Sequence, residues 1–216
     1  MSEQPPTPSA ETIDWWHDRA LDFLRDHFRE TTPARLGEHQ VFDSSPLDGD
    51  GATMIFRFTA NRAGTGEEKF IVAVGQTEPN YYPDEGFAFD EAFELHLGTR
   101  FMLTLGVAQV READETVAAD DQPYDVEKDV RLIVNRVSPD AKIDRAELAA
   151  LFDVGGQYFA VIRCLLDGQP VYVMGRDAPF GFSMRTDLAP QVVFRLHLGR
   201  VLRLEPDPDA QSGESP

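Results

Sequence analysis

Apolar residues recur at three- and four-residue intervals over Ile13, Trp16, Ala20, Phe23, Leu24 and Phe28, joined by His27. This is the stripe of an amphipathic helix. Ser9 or Thr12 can cap it, and the stripe predicts a helix to about Glu30, closed by Thr31-Thr32-Pro33. The period then changes to two. Met54, Phe56 and Phe58 alternate with Thr53, Arg57 and Thr59, as in a half-buried strand. Strands are expected at about 36–43, 52–60 and 69–75, the last two joined by the loop Asn61–Glu68. The aromatic stretch Asn80–Phe89 reads as a loop. Asp90 then caps a helix from Glu91 to about Gly106, apolar on most of its circumference and so buried on more than one side.

Residues 111–125 form an acidic linker. Beyond it Val126, Val130, Ile133, Val134 and Val137 are spaced for a helix capped by Asp125, although the β-branched run Val130–Val134 also suits a strand. Asp144 and Glu147 stand at capping-box spacing, which predicts a short helix ending before Gly155-Gly156. Strands at about 157–166 and 170–175 follow, joined by the turn Asp167-Gly168-Gln169. A last helix from about Leu188 to Leu204 takes Asp187 as its cap and Pro190 in its first turn.

The two parts of the chain match. Phe93-Glu94-Leu95-His96-Leu97-Gly98 recurs as Phe194-Arg195-Leu196-His197-Leu198-Gly199. Gly75-x-x-x-Pro79 answers to Gly175-x-x-x-Pro179, and Arg57 aligns with Arg163. Matching order, spacing and residue type imply an internal duplication. The expected fold class is α+β, in two related halves at 11–110 and 126–204. Each is an antiparallel hairpin or sheet backed by helices, with disordered tails at 1–10 and 205–216. Gly98 and Gly199 sit inside helices, where glycine costs about 0.5–1 kcal/mol relative to alanine. Close approach of another helix, or of the helix to its own sheet, would offset that.

Charge and composition narrow the classes. The 216 residues carry 20 Lys+Arg against 38 Asp+Glu, a net charge of −18. Nucleic acid and anionic membranes are poor partners for such a surface. No apolar run approaches a membrane span, and MSEQPPTPSAE lacks the pattern of a secretory signal. A single cysteine, Cys164, excludes an intrachain disulfide and fits a reducing, cytoplasmic setting.

Element order and acidity together resemble those of small acidic secretion chaperones: helix, three strands, helix, then two strands and a helix. The resemblance is one of order and charge and rests on no motif residue. It implies an adaptor or chaperone-like role.

Candidate chemistry is sparse. His96 and His197 occupy equivalent positions and could form a pocket, as metal ligands or an acid/base pair. Neither has the E-x-x-H or H-E-x-x-H neighbours of a zinc site, so half-buried structural histidines are the simpler account. Asp48-Gly49-Asp50-Gly51 lacks the closing Glu of a calcium loop, and Gly64-Thr65-Gly66 lacks the Lys of a phosphate loop; both read as turns. Cys164 reads as a buried small hydrophobe. No catalytic residue, metal or cofactor is assigned.

The better candidates are surfaces. Asp14, Asp18, Asp22 and Asp26 recur every four residues on the first helix, a ridge suited to a basic partner. Tyr81, Tyr82 and Phe87 in one half, and Phe180 and Phe182 in the other, lie in Gly- and Pro-containing loops that could dock a protein. The expectation is a non-catalytic cytoplasmic protein-binding module. The alternative is a small-molecule-binding protein or enzyme with a pocket near His96 and His197.

Overall fold

The computed structural model describes residues 10–27, 32–43, 52–62, 66–75, 79–104, 125–154, 157–176 and 181–204. The tails 1–9 and 205–216, linker positions 111–124, the turn 48–51 and Phe180 lie outside the described residues. The chain order is α1 (Ala10–His27), β1 (Thr32–Asp43), β2 (Ala52–Arg62), β3 (Gly66–Val74), β4 (Asn80–Pro83) and α2 (Phe89–Thr104). Then come α3 (Val126–Val137), β5 (Ile143–Val154), β6 (Gln157–Leu166), β7 (Gln169–Arg176), β8 (Gly181–Ser183) and α4 (Pro190–Leu204). Two four-stranded antiparallel sheets result, β1-β2-β3-β4 and β5-β6-β7-β8. The fold is α+β in two similar halves, each a helix, a four-strand meander and a second helix. Two compact units divide at His96 and Leu97, within α2.

In the first sheet the period-two pattern of β2 puts Met54, Phe56, Phe58 and Ala60 on one face, beside Phe70, Val72 and Val74 of β3. The stripe of α1 covers that face with Trp16, Ala20 and Leu24. Leu24 is fully buried, a contribution of about 1.5–3 kcal/mol for a side chain of that kind. On the opposite face, Phe93 of α2 lies flat on Phe42 of β1, ring centroids 4.5 Å apart and planes at 8°. The second sheet repeats this plan. Val130, Ile133 and Val134 of α3 pack on Ala160, Ile162, Cys164, Val171 and Val173. On the other face Phe194 of α4 stacks on Phe152 of β5 at 4.5 Å and 12°. Between α2 and α4, inside the unit Leu97–Leu204, the backbones come so close that a Cβ on Gly98 would stand 1.9 Å from the Arg195 carbonyl oxygen.

Strand pairing sets the equivalence of the halves. Arg57 faces Ile71 and Arg163 faces Tyr172, so Ile71 corresponds to Tyr172. From β3 onward every matched position then follows the spacing of the two histidines. The Gly75/Gly175 match in the sequence is therefore one residue out of register; Gly175 stands where Val74 does. Phe182 pairs with Val173 as Tyr81 pairs with Val72, so Tyr81 and Phe182 are counterparts.

Several elements differ from the sequence pattern. The segment expected as a helix after Asp144 is strand β5, paired along its length with β6. Its Ala, Leu and Glu favour helix locally, but the pairing prevails. Arg145 and Glu147, two apart on one strand face, form an ion pair at 2.7 Å. Asn80–Pro83 is not loop but a short edge strand, with β8 its counterpart. The two added strands and β5 also replace the element order on which the chaperone resemblance rested. Asp90 lies inside α2, whose start is closed instead by the Glu91 carboxylate accepting from the Ala88 N–H at 3.0 Å. Asp187 is gripped by the Arg185 guanidinium at 3.0 Å ahead of α4 rather than capping it. The 126–137 segment is the expected helix, with the Asp125 side chain accepting from the Lys128 N–H at 3.1 Å.

Local turn chemistry closes the second meander. Asp167 (φ 48°) and Gly168 (φ 76°) both take left-handed backbone, as a two-residue hairpin requires. Asp144 ties this turn to β5 by accepting from the Gly168 N–H at 3.1 Å and from Lys142 Nζ at 2.6 Å. Those two donors hold its carboxyl below the usual aspartate range, Lys142 more than Gly168.

Candidate functional site

Helix α1 buries one side only. With Trp16, Ala20 and Leu24 turned to the sheet, the 100° step per residue carries Asp14, Asp18, Asp22 and Asp26 outward, and all four are exposed. The same geometry puts Trp15 on that acidic face, between Asp22 and Asp26 in projection and between Asp14 and Asp18 along the axis. Trp15 is 54% exposed. The guanidinium of Arg19, one turn on, lies over its ring at 5.2 Å. Arg25 pairs with Asp22 at 2.9 Å, and the His17 ring approaches Asp18 at 3.8 Å. These are exposed pairs, which water and salt screen and a partner can replace. The face thus offers an aromatic plate that already holds a guanidinium, framed by carboxylates.

At the C-terminal end of α1, on the side of the buried stripe rather than of the aspartates, stands a ring cluster. Phe23 lies 4.1 Å from the His27 ring. Tyr81 of β4 stands 6.1 Å from Phe23, 5.8 Å from His27 and 6.1 Å from Phe70. Tyr81 is 37% exposed, and His27 is exposed beside it. Of the aromatic residues proposed from the sequence, Tyr81 alone among the described ones joins the α1 surface. Tyr82 and Phe87 are buried: Tyr82 points to the α2 side of the sheet, because adjacent strand residues face opposite ways. Phe182 is half-buried against the α3 core.

Phe87 is fixed by its backbone. Its carbonyl accepts from Arg57, whose guanidinium lies over the Phe89 ring at 4.7 Å with Asp84 at 3.8 Å from its Nε. Asp84 in turn accepts from the Gly86 and Phe87 N–H groups at 3.1 and 3.3 Å. The loop is a built structural anchor.

The two histidines have neighbours of their own. His96 is buried, its Nδ1 3.3 Å from the Tyr82 hydroxyl. His197 is buried with its ring on the backbone of Gly181, where a Cβ would fall 2.2 Å from Cε1. Among the described residues no group of three or more His, Cys, Asp and Glu could hold a metal ion. Cys164 is buried in the α3 core, and desolvation pushes its thiol up to about 12, so it is protonated and unreactive at neutral pH.

The sequence pattern showed the acidic ridge but not Trp15, since an exposed aromatic next to a buried one looks like core. Helix phase was the signal available: Trp15 falls off the Trp16-Ala20-Leu24 stripe and onto the aspartates. Among the described residues no helix is long and apolar enough to cross a membrane. Comparison with protein-family models, curated proteins and solved structures finds no match to this chain.

Proposed function

We propose that the chain is a non-catalytic protein-binding module that docks a basic segment of a partner on α1. The observation that carries this reading is the exposed Trp15 ring, set among Asp14, Asp18, Asp22 and Asp26 and bearing the Arg19 guanidinium. A lysine or arginine from a partner finds there both a π face and a carboxylate frame, each cation–π contact being worth about 0.5–1 kcal/mol at an exposed site. Such a module works by steering and adapting other proteins, and its lone reduced cysteine suits the cytoplasm.

The test is titration of the full chain with an arginine-rich peptide and with a glutamate-rich peptide of equal length. The arginine peptide should bind, quench the indole emission and weaken as salt rises. Trp15→Ala, or Asp18→Asn with Asp22→Asn, should reduce its affinity tenfold or more. Equal affinity in these variants, or no preference between the peptides, overturns the reading.

A further inference from the structure

The duplication gives α1 a counterpart, and one row of its outer face is opposite in charge to the matching row of α1. Trp16, Ala20 and Leu24 pack on the first sheet as Val126, Val130 and Val134 pack on the second. That phase aligns the exposed row Asp18, Asp22, Asp26 of α1 with the exposed row Lys128, Leu132, Arg136 of α3. Arg19, beside the first row, is answered by Asp129 beside the second. Two helices with the same fold position and the same buried stripe thus differ by inversion of charge at three of these positions, while Glu127 and Arg131 of α3 pair with each other at 3.4 Å.

We propose that the basic segment received by α1 is the α3 face of a second copy of this chain. The inference rests on the reading above, that the α1 face docks a basic partner, and names that partner. Asp18 and Asp26 are two turns apart, about 12 Å along the helix axis. Lys128 and Arg136 have the same separation, so one row can lie along the other with both end charges matched. The central position sets Asp22 opposite Leu132. Asp22 is already held by Arg25 of its own helix at 2.9 Å, and its counterpart across the contact is the uncharged Leu132. Each face also exposes an apolar residue, Leu132 at 47% within the basic row and Trp15 at 54% about one turn before Asp18. Apolar residues beside complementary charge are how specific protein surfaces are built. The setting makes the basic row conspicuous. In a chain of net charge −18 with few lysines, copies repel one another overall, so a self-contact requires a local cationic patch of this kind.

The test uses the full chain and sedimentation equilibrium across protein and salt concentrations, with circular dichroism to verify folding. Wild type should associate, less so at high salt. Lys128→Glu with Arg136→Glu, and separately Asp18→Lys with Asp26→Lys, should each weaken self-association tenfold or more. Mixing the two double variants should restore association, because the reversed α1 of one meets the reversed α3 of the other. A wild-type chain that stays monomeric throughout, or a mixture that fails to associate while both variants are folded, overturns the proposal. The arginine peptide separates the two readings. If the Lys128→Glu/Arg136→Glu chain still binds it while wild type does not self-associate, only the second copy is wrong. If no form binds it, the docking face itself is wrong.

Discussion

Arg57 donates to the carbonyl oxygen of Phe87. In the other half the corresponding Arg163 does not reach the corresponding carbonyl, that of Leu188. It donates instead to the Tyr172 hydroxyl at 2.8 Å, and that hydroxyl donates to Leu188 at a long 3.5 Å. One function, anchoring the chain just before its closing helix, is served directly in one half and through a relay in the other. The relay exists because tyrosine stands where the first half has Ile71. Hydrogen bonds from charged donors contribute about 1.5–3 kcal/mol and neutral ones about 0.5–1.5 kcal/mol. Arg57→Ala is therefore expected to lower unfolding free energy in urea by about 1.5–3 kcal/mol and to speed hydrogen exchange around Phe87. Tyr172→Phe should cost less than Arg57→Ala; the reverse order would show that the relay is the stronger anchor.

Two glycines are required for different reasons. At Gly98 an added Cβ meets the Arg195 carbonyl at 1.9 Å, and a backbone atom cannot swing aside as a side chain can. Gly98→Ala gains helix propensity yet should destabilise by the upper end of the overpacking range, about 1–3 kcal/mol. At Gly168 there is room, nothing lying within 4 Å, but φ is +76°. Gly168→Ala should cost about 1–2 kcal/mol from conformation alone. Thermal melts of the two variants would distinguish crowding from backbone strain. A Gly98→Ala protein at least as stable as wild type would refute the close helix approach.

The stacked pairs Phe42–Phe93 and Phe152–Phe194 are equivalent in both geometry and register. Truncating either α-helical ring, Phe93→Ala or Phe194→Ala, should cost about 3–5 kcal/mol. The two losses should agree to within about 1 kcal/mol, since each removes the same ring from the same layer; Phe194 also meets Phe159 at 5.4 Å, so its loss should be the larger. Denaturant midpoints at constant slope provide the measurement.

The Cys164 thiol is raised by burial from 9.0 to about 12. Below about pH 8 the thiol is protonated in both folded and unfolded chains and gives no pH dependence. As pH climbs from about 9 towards 12 the unfolded chain loses this proton while the folded chain keeps it, so stability falls. Wild type should therefore lose stability over that interval more steeply than Cys164→Ala. In the native state at pH 8 the thiol should resist a disulfide-exchange reagent and react once urea unfolds the chain. Fast labelling of native protein would contradict its burial.

Most of this architecture is legible along the chain. The stripe of α1, the alternation of β2 and the Asp-Gly turn before β7 each carry a local signal strong enough to survive folding. β5 is not legible by composition, because Ala146, Glu147, Leu148 and Ala150 are helix formers that only pairing with β6 extends. The duplication did hold the answer: the position after α3 corresponds to the position after α1, and that had to be a strand. The docking face was half legible. Its aspartates follow a period that stands out, whereas Trp15 and the inverted row on α3 emerge only when helix phase and the register between the halves are fixed by packing. Burial of Tyr82 and Phe87 was hidden for a similar reason, since Gly and Pro nearby suggest an open loop while Arg57, distant in sequence, pulls that loop inward.

The margins of the two sheets bear on how copies of this chain can meet. One border of each is a stub, Asn80–Pro83 or Gly181–Ser183. The other is a long strand whose register slips twice, between Pro33 and Arg35 and between Leu36 and His39 in β1, and between Ile143 and Arg145 and between Leu148 and Ala150 in β5. A stub gives an incoming strand too few backbone groups to zip onto, and a twice-slipped border presents them out of step. Edge-to-edge pairing of sheets into continuous ribbons is thereby discouraged, which leaves the helix surfaces as the proposed place of contact, where charge can choose the partner and salt can release it.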